Sequence, residues 1–345
     1  MIVSLITFLI SAIAIWIAGI WITRSVDAID THFKLGSAFG GLILLGISGS
    51  LPELAITISG AIHHDYGMVI GNLLGGIAIQ TVVLVILDFS MKAKQTLSFA
   101  AASLTLVLEA NIVILVTVIA IISSGAPIII PKTNISLSSL AILVVWIIGL
   151  WLIYKSRKNL PWKSIAIESN PGRTHQERQA VINHPHFQNK SWIYSIFIFL
   201  ITSIIILIAG VKLEESGSFL ANYFGIATGL FAATFISLAT ALPEISTGIA
   251  SIKMADYRLA ISDIFGSNAF MPALFIIADI IAGKQILSAA TPTDIWFAAL
   301  GILLTAIYGV GLLIRPKKLF FRVGIDSILV LSIYIISVLA LYLHR

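Results

Sequence analysis

Two glutamates directly follow prolines, in Pro52-Glu53 and Pro243-Glu244, and each pair lies midway along a long apolar stretch. A carboxylate in apolar surroundings is costly to keep charged unless something pairs with it. A proline inside a helix removes one backbone hydrogen bond and frees the carbonyl four residues earlier. Here those carbonyls belong to Ser48 and Ala239, and a hydroxyl stands near each glutamate, Ser50 in the first stretch and Thr240 in the second. Each stretch thus offers a carboxylate, a freed carbonyl and a hydroxyl. Set face to face, two such triplets make an oxygen cage suited to a hard cation such as Ca2+, which takes about six to eight oxygens. Soft metals would want Cys or His; the chain has no cysteine, and its histidines lie elsewhere. The plainer reading is a pair of kinked helices whose glutamates are protonated and structural.

The elements that must hold these groups follow from composition. Of 345 residues, 58% are hydrophobic and 11% are charged, against about 45–50% and about 25% in ordinary soluble domains. So few polar residues cannot wet a globule of this size, which makes the chain an all-α integral membrane protein. A membrane helix needs about 20 mostly apolar residues. Ten segments qualify: 2–23, 36–62, 67–88, 98–122, 138–154, 192–211, 225–252, 257–282, 295–314 and 324–342. The first lacks a positive leading region, so it is not expected to be a cleaved signal peptide.

With ten spans, seventeen Lys and Arg fall on the side holding the 155–191 loop and four on the other. Cytoplasmic loops carry the basic excess, so both termini are expected outside a plasma or inner membrane, with 155–191 a cytoplasmic loop. That loop divides the chain into 1–154 and 192–345, two halves of one membrane domain. Its basic residues, such as Lys163 and Arg173, suit a solvated connector. Basic residues spread over five loops exclude a nucleic-acid partner, leaving inorganic cations and membrane lipid. His63 and His64, and His184 and His186, are expected to be solvated loop residues, and Asn134-Ile135-Ser136 fits a glycosylation acceptor.

The halves repeat. Residues 51–88 align without a gap to 242–279 at an offset of 191, with Pro52/Pro243, Glu53/Glu244, Asp65/Asp256, Gly75/Gly266 and Asp88/Asp279 among the identical pairs. Five spans per half is an odd number, so the second half enters the membrane upside down. Inverted repeats with helix breakers at matched positions point to a secondary transporter with its site near the midplane. The third and eighth segments add matched polar positions, Asn72/Asp263 and Gln80/Met271. Asn72 and Asp263 either line an ion path or brace the broken helices. Gly71, Gly75 and Gly76 suit close helix packing. Asp88 and Asp279 sit at segment ends and are expected at the interface; Glu109 has no partner in the repeat and fits a structural or proton-path role.

These residues resemble the calcium/cation antiporter superfamily, whose best-known members are sodium/calcium exchangers. Its two repeats carry a G-T-S-x-P-E element and a G-N-x-x-G-S-N element. This chain reads Gly49-Ser50-Leu51-Pro52-Glu53 and Thr240-Ala241-Leu242-Pro243-Glu244, then Gly71-Asn72-Leu73-Leu74-Gly75-Gly76-Ile77 and Ser262-Asp263-Ile264-Phe265-Gly266-Ser267-Asn268. The resemblance implies ten helices, no resident cofactor and no enzymatic reaction. It also implies a cation site of Glu53, Glu244, Ser50, Thr240, Gln80 and Ser267 with the Ser48 and Ala239 carbonyls, and an ion path past Asn72, Asp263 and Asn268. The transported ions would be Ca2+ and either Na+ or H+, exchanged as the first and sixth helices slide over the rest. Gly49 stands where Thr is usual, Ala241 where Ser is usual, Gly76-Ile77 replace Ser-Asn, and Met271 holds a position usually occupied by Asp. Those changes remove oxygens that several Na+ ions would need and spare the glutamate pair.

Exchange is built into such a pair. Two neighbouring carboxylates in a low dielectric repel, so one holds a proton until a divalent cation expels it. The alternatives are proton-coupled exchange of another divalent cation, a channel, and a degenerate cation-binding protein that does not transport.

Overall fold

The computed structural model describes residues 1–33, 45–91, 95–101, 103–125, 136–156, 192–320 and 322–343, and the description below is of these. They are helical nearly throughout: α1 (Ile2–Phe33), α2 (Leu45–Gly49), α3 (Leu51–Ile62), α4 (Tyr66–Ser90), α5 (Leu97–Ala100), α6 (Leu104–Gly125) and α7 (Leu137–Ser156). After the central loop come α8 (Trp192–Tyr223), α9 (Thr228–Phe231), a π-helical turn (Ala232–Ile236) and α10 (Ser237–Thr240). Then follow α11 (Leu242–Lys253), α12 (Tyr257–Phe270), a 3-10 turn (Met271–Leu274), α13 (Phe275–Ala282), α14 (Pro292–Ile314) and α15 (Ile325–Leu343). The 157–191 stretch, with His184 and His186, lies outside the described residues, as do Asn134, Ile135 and the start of the expected 36–62 segment.

Seven helices are long and apolar enough to cross a membrane, eight if the bent pair Thr228–Thr240 and Leu242–Lys253 counts as one span. Leu51–Ile62 and Ile325–Leu341 are apolar but shorter. Two boundaries differ from the sequence expectation. The first helix runs on to Phe33 rather than stopping at 23, and the sixth segment, expected to end at 211, continues to Tyr223. Apolar runs end where the bilayer ends, whereas helices continue into the wet zone as long as one face still packs. Beyond residue 211 that face is Leu213, Gly217, Leu220 and Ala221, all buried.

Burial sorts the helices into layers. In the most apolar window of α4, 89% of residues are buried, against 28% in α8, so α4 is the central post and α8 faces lipid. α1 and α8 pack on each other more extensively than any other pair, while α14 lies against both α4 and α6. Close approach of α4 to the strand of helix before α10 depends on two glycines. A Cβ at Gly71 would fall on the backbone of Gly229, and one at Gly75 on Ala233. At Gly76 it would meet only the flexible end of Met271, at 3.1 Å. Gly75→Val is therefore expected to cost about 1–3 kcal/mol or more through overpacking, with Gly76→Ala far milder. Melting temperatures of the two variants in detergent check the contrast.

Local geometry also recurs at the 191-residue offset. α3 and α11 each have twelve residues and carry proline in the first turn. Asp65 caps α4 by accepting from the Met68 amide at 3.1 Å, and Asp256 caps α12 by accepting from Leu259 at 3.2 Å. Both caps follow a residue in the left-handed region, His64 at φ 60° and Ala255 at φ 58°.

Candidate cation site

Each proline breaks its helix where the sequence analysis places the break. α2 ends at Gly49 and α3 restarts at Leu51; α10 ends at Thr240 and α11 restarts at Leu242, turned by 41°. Proline is tolerated in a first helical turn because the amide it lacks would be unpaired there. The glutamate behind it then sits in the first turn of the new half-helix, at its positive end.

Glu53 and Glu244 are both buried, and each is the other's neighbour in charge. Glu53 Oε1 accepts from Gln80 Nε2 at 3.4 Å, and Gln80 Oε1 accepts from the Ser267 hydroxyl at 3.0 Å. Gln80 thereby ties the first glutamate to the second repeat. The Thr240 hydroxyl stands beside Glu53 and donates to the Ser237 carbonyl at 3.2 Å. Glu53 Oε2 and both carboxylate oxygens of Glu244 have no hydrogen-bond partner among the described residues. Buried polar atoms in folded proteins are nearly always partnered, and these three oxygens are exceptions. No group of three or more His, Cys, Asp or Glu suited to a metal occurs among the described residues; two carboxylates would need neutral oxygens to complete a shell.

A small, partly open pocket reaches Glu244, lined also by Ser48, Gly49, Thr23, Thr247 and Asp263. Asp263 Oδ2 accepts from the Thr247 hydroxyl at 2.9 Å. Ser50 and Ala239 are buried at the two helix breaks. Asn268 braces α4, with Nδ2 at 3.5 Å from the Ile77 carbonyl and 3.4 Å from the Thr81 hydroxyl. Asn72 is fully buried outside that pocket, and its side-chain amide has no partner among the described residues. Glu109 lines a separate pocket with Trp146, Phe265 and Gly266.

Two further acids depart from expectation. Asp88 and Asp279 are buried rather than interfacial. Asp88 accepts from the Leu97 amide, the Gly324 amide and the Ser327 hydroxyl, each at 2.7 Å. Asp279 accepts from the Ile286 amide at 2.8 Å and from the hydroxyls of Ser136 at 2.8 Å and Ser139 at 2.7 Å. These two acids need no mobile counter-charge, because converging donors satisfy them. Glu214 was hidden by the short reading of its helix. It is buried and accepts from the Ser59 hydroxyl at 2.7 Å, with His63 at 3.5 Å; His63 itself is exposed, as expected of a loop residue. Thr247 was also missed, although its place one turn after Glu244 is the signal that would have found it.

Comparison with known proteins places this geometry. The family model described as sodium/calcium exchanger protein matches residues 3–155 and 194–343. The chain is 25% identical to inner membrane protein YrbG of Escherichia coli (strain K12) over 233 residues, covering 67% of this chain and 65% of that protein, just under two thirds of its length. It is 24% identical to the CaxA protein of Alkalimonas amylolytica over 282 residues, 81% of each. Among solved structures it is similar to the H+/Ca2+ exchanger CAX, with TM-score 0.70, 15% identity and coverage of 97% of this chain and 82% of that one. It is also similar to the sodium-calcium exchanger NCX_Mj, with TM-score 0.61, 18% identity and 98% of each chain covered.

Proposed function

The chain belongs to the sodium/calcium exchanger protein family, and from that premise we propose that it is a secondary antiporter that moves Ca2+ against protons by alternating access. The observation that carries this reading is the pair Glu53 and Glu244: two buried carboxylates acting on each other, three of their four oxygens unpartnered. One divalent ion or two protons neutralise them equally, which is the balance an exchanger needs. Ser50, Thr240, Gln80, Ser267 and the Ser48 and Ala239 carbonyls supply the neutral oxygens. Protons rather than Na+ are favoured by what surrounds the pair. The residue matching Gln80 is Met271, a buried thioether, so the second half offers no oxygen at that position. Oxygens for several Na+ ions are therefore scarce.

The wider architecture in this proposal is ten spans in two inverted five-helix halves, with both termini outside and the 155–191 loop cytoplasmic. The matched caps, the equal lengths of α3 and α11 and the basic-residue bias support it. The pairing of Asp88 with Ser327 and of Asp279 with Ser136 supports it further. Both members of each pair map onto the other at the same offset of 191.

Reconstituted vesicles test the driving ion. An imposed pH gradient is expected to drive Ca2+ uptake at least about tenfold above the ungradiented rate, and an equal Na+ gradient is expected to leave it near baseline. Uptake driven by Na+ alone would replace protons with sodium. Inactivity under both gradients, with Ca2+ still bound, would remove exchange altogether.

A further inference from the structure

The two halves match closely at the glutamates but not beside them. Asp263 on α12 corresponds to Asn72 on α4, so the second half carries a carboxylate where the first carries an amide. The structure treats the two positions differently. Asp263 lines the pocket that reaches Glu244, whereas Asn72 is fully buried. Two more partly exposed residues of that lining, Thr23 and Thr247, likewise match buried ones, Glu214 and Ile56. The partly exposed polar side chains of this pocket thus have buried counterparts in the other half.

We propose that Asp263, with Thr247 and Glu244, forms a loading subsite that takes a hydrated divalent cation from the pocket-side face before it reaches the central glutamate pair. This inference rests on the antiporter reading and adds sidedness to it. Thr247 donates to Asp263 Oδ2 at 2.9 Å, which fixes the carboxylate beside the pocket that both residues line. Glu244 closes the inner end of the same pocket with both oxygens buried and unpartnered. A divalent ion that keeps part of its water shell can be held by one or two carboxylates rather than a closed cage. Lys253 ends the helix α11 that carries Glu244 and Thr247, and Arg258 lies in the first turn of the helix α12 that carries Asp263. The positive-inside bias makes that face cytoplasmic. Asp263 thus favours capture of the cation from the side on which an outward exporter must find it.

Transport measured separately in right-side-out and inside-out vesicles tests the assignment. Asp263→Asn keeps the shape and the Thr247 contact. It is expected to raise the half-saturating Ca2+ concentration on the pocket-side face by roughly tenfold or more, the usual scale for losing a supporting ligand. The half-saturating concentration on the opposite face and the maximal rate should stay within about twofold. Asp263→Glu should restore affinity on the pocket-side face. Asn72→Asp, which installs the missing carboxylate, should lower the half-saturating concentration on the opposite face. A wild type that exchanges while Asp263→Asn leaves both faces alike, or weakens both equally, overturns this inference and leaves the antiporter standing. A wild type inactive under every gradient overturns the antiporter and this inference together.

Discussion

Glu244→Gln is expected to reduce divalent exchange by at least a hundredfold while leaving a folded protein. The amide keeps the size of the side chain and removes one of only two charges at the site. Taking away one partner of a buried charge pair costs about 3–5 kcal/mol, and every 1.4 kcal/mol is a factor of about ten. A divalent ion facing Glu53 alone would sit in apolar surroundings with one positive charge unbalanced. Folding should not suffer, because neither Glu244 oxygen has a hydrogen bond among the described residues to lose. Removing an unpartnered buried charge should even favour the folded state slightly. Glu53→Gln should fall as far in transport but stabilise less, since Glu53 also accepts from Gln80. Ca2+ uptake into vesicles, read beside melting temperature in detergent, separates the two effects. Normal exchange by either variant would show that the pair is structural.

What the sequence disclosed and what it hid divide by distance along the chain. A proline breaks its own helix, and an aspartate caps the turn that follows it, so Pro52, Pro243, Asp65 and Asp256 act within a few residues of themselves. The prolines' effect was legible one residue at a time and doubled by the offset of 191, whereas Asp65 and Asp256 were read only as a matched pair and their capping was not foreseen. Gln80 links Glu53 to Ser267 across the two repeats, a contact between distant residues that no local pattern announces. Glu214 escaped because Lys212 and Glu215 beside it look like the end of a membrane span. The two instead pair with each other at 2.6 Å on a half-exposed surface, and the buried face continues past them. The π turn at Ala232–Ile236 and the 3-10 turn at Met271–Leu274 were not foreseen. Pro272 is a local cause for the second. The first depends on Ser237 donating to the Ala232 carbonyl at 2.8 Å, a bond no composition pattern announces.

Asp279→Ala should do the reverse of Glu244→Gln, damaging the fold without touching the cation site. The carboxylate gathers three donors, the Ile286 amide and the hydroxyls of Ser136 and Ser139, and so ties α13 to the turn after it and to the start of α7. Alanine strands all three where water is scarce, at about 1–3 kcal/mol for each unmade bond. Because one kcal/mol moves the melting temperature of a chain of this class by about 2–4 °C, the variant should melt roughly 10 °C lower in detergent. Asp279→Asn keeps an acceptor oxygen and should lose less than half as much. Asp88→Ala should behave like Asp279→Ala, since it also strands three donors, Leu97, Gly324 and Ser327. The alanine protein that does fold should keep its Ca2+ affinity, because the hydrogen bonds of Asp279 go to Ile286, Ser136 and Ser139, away from both glutamates, and satisfy its charge. If Asp279→Ala melted normally but lost Ca2+ affinity, the carboxylate would belong to the ion path, and the division between the two kinds of buried acid would be wrong.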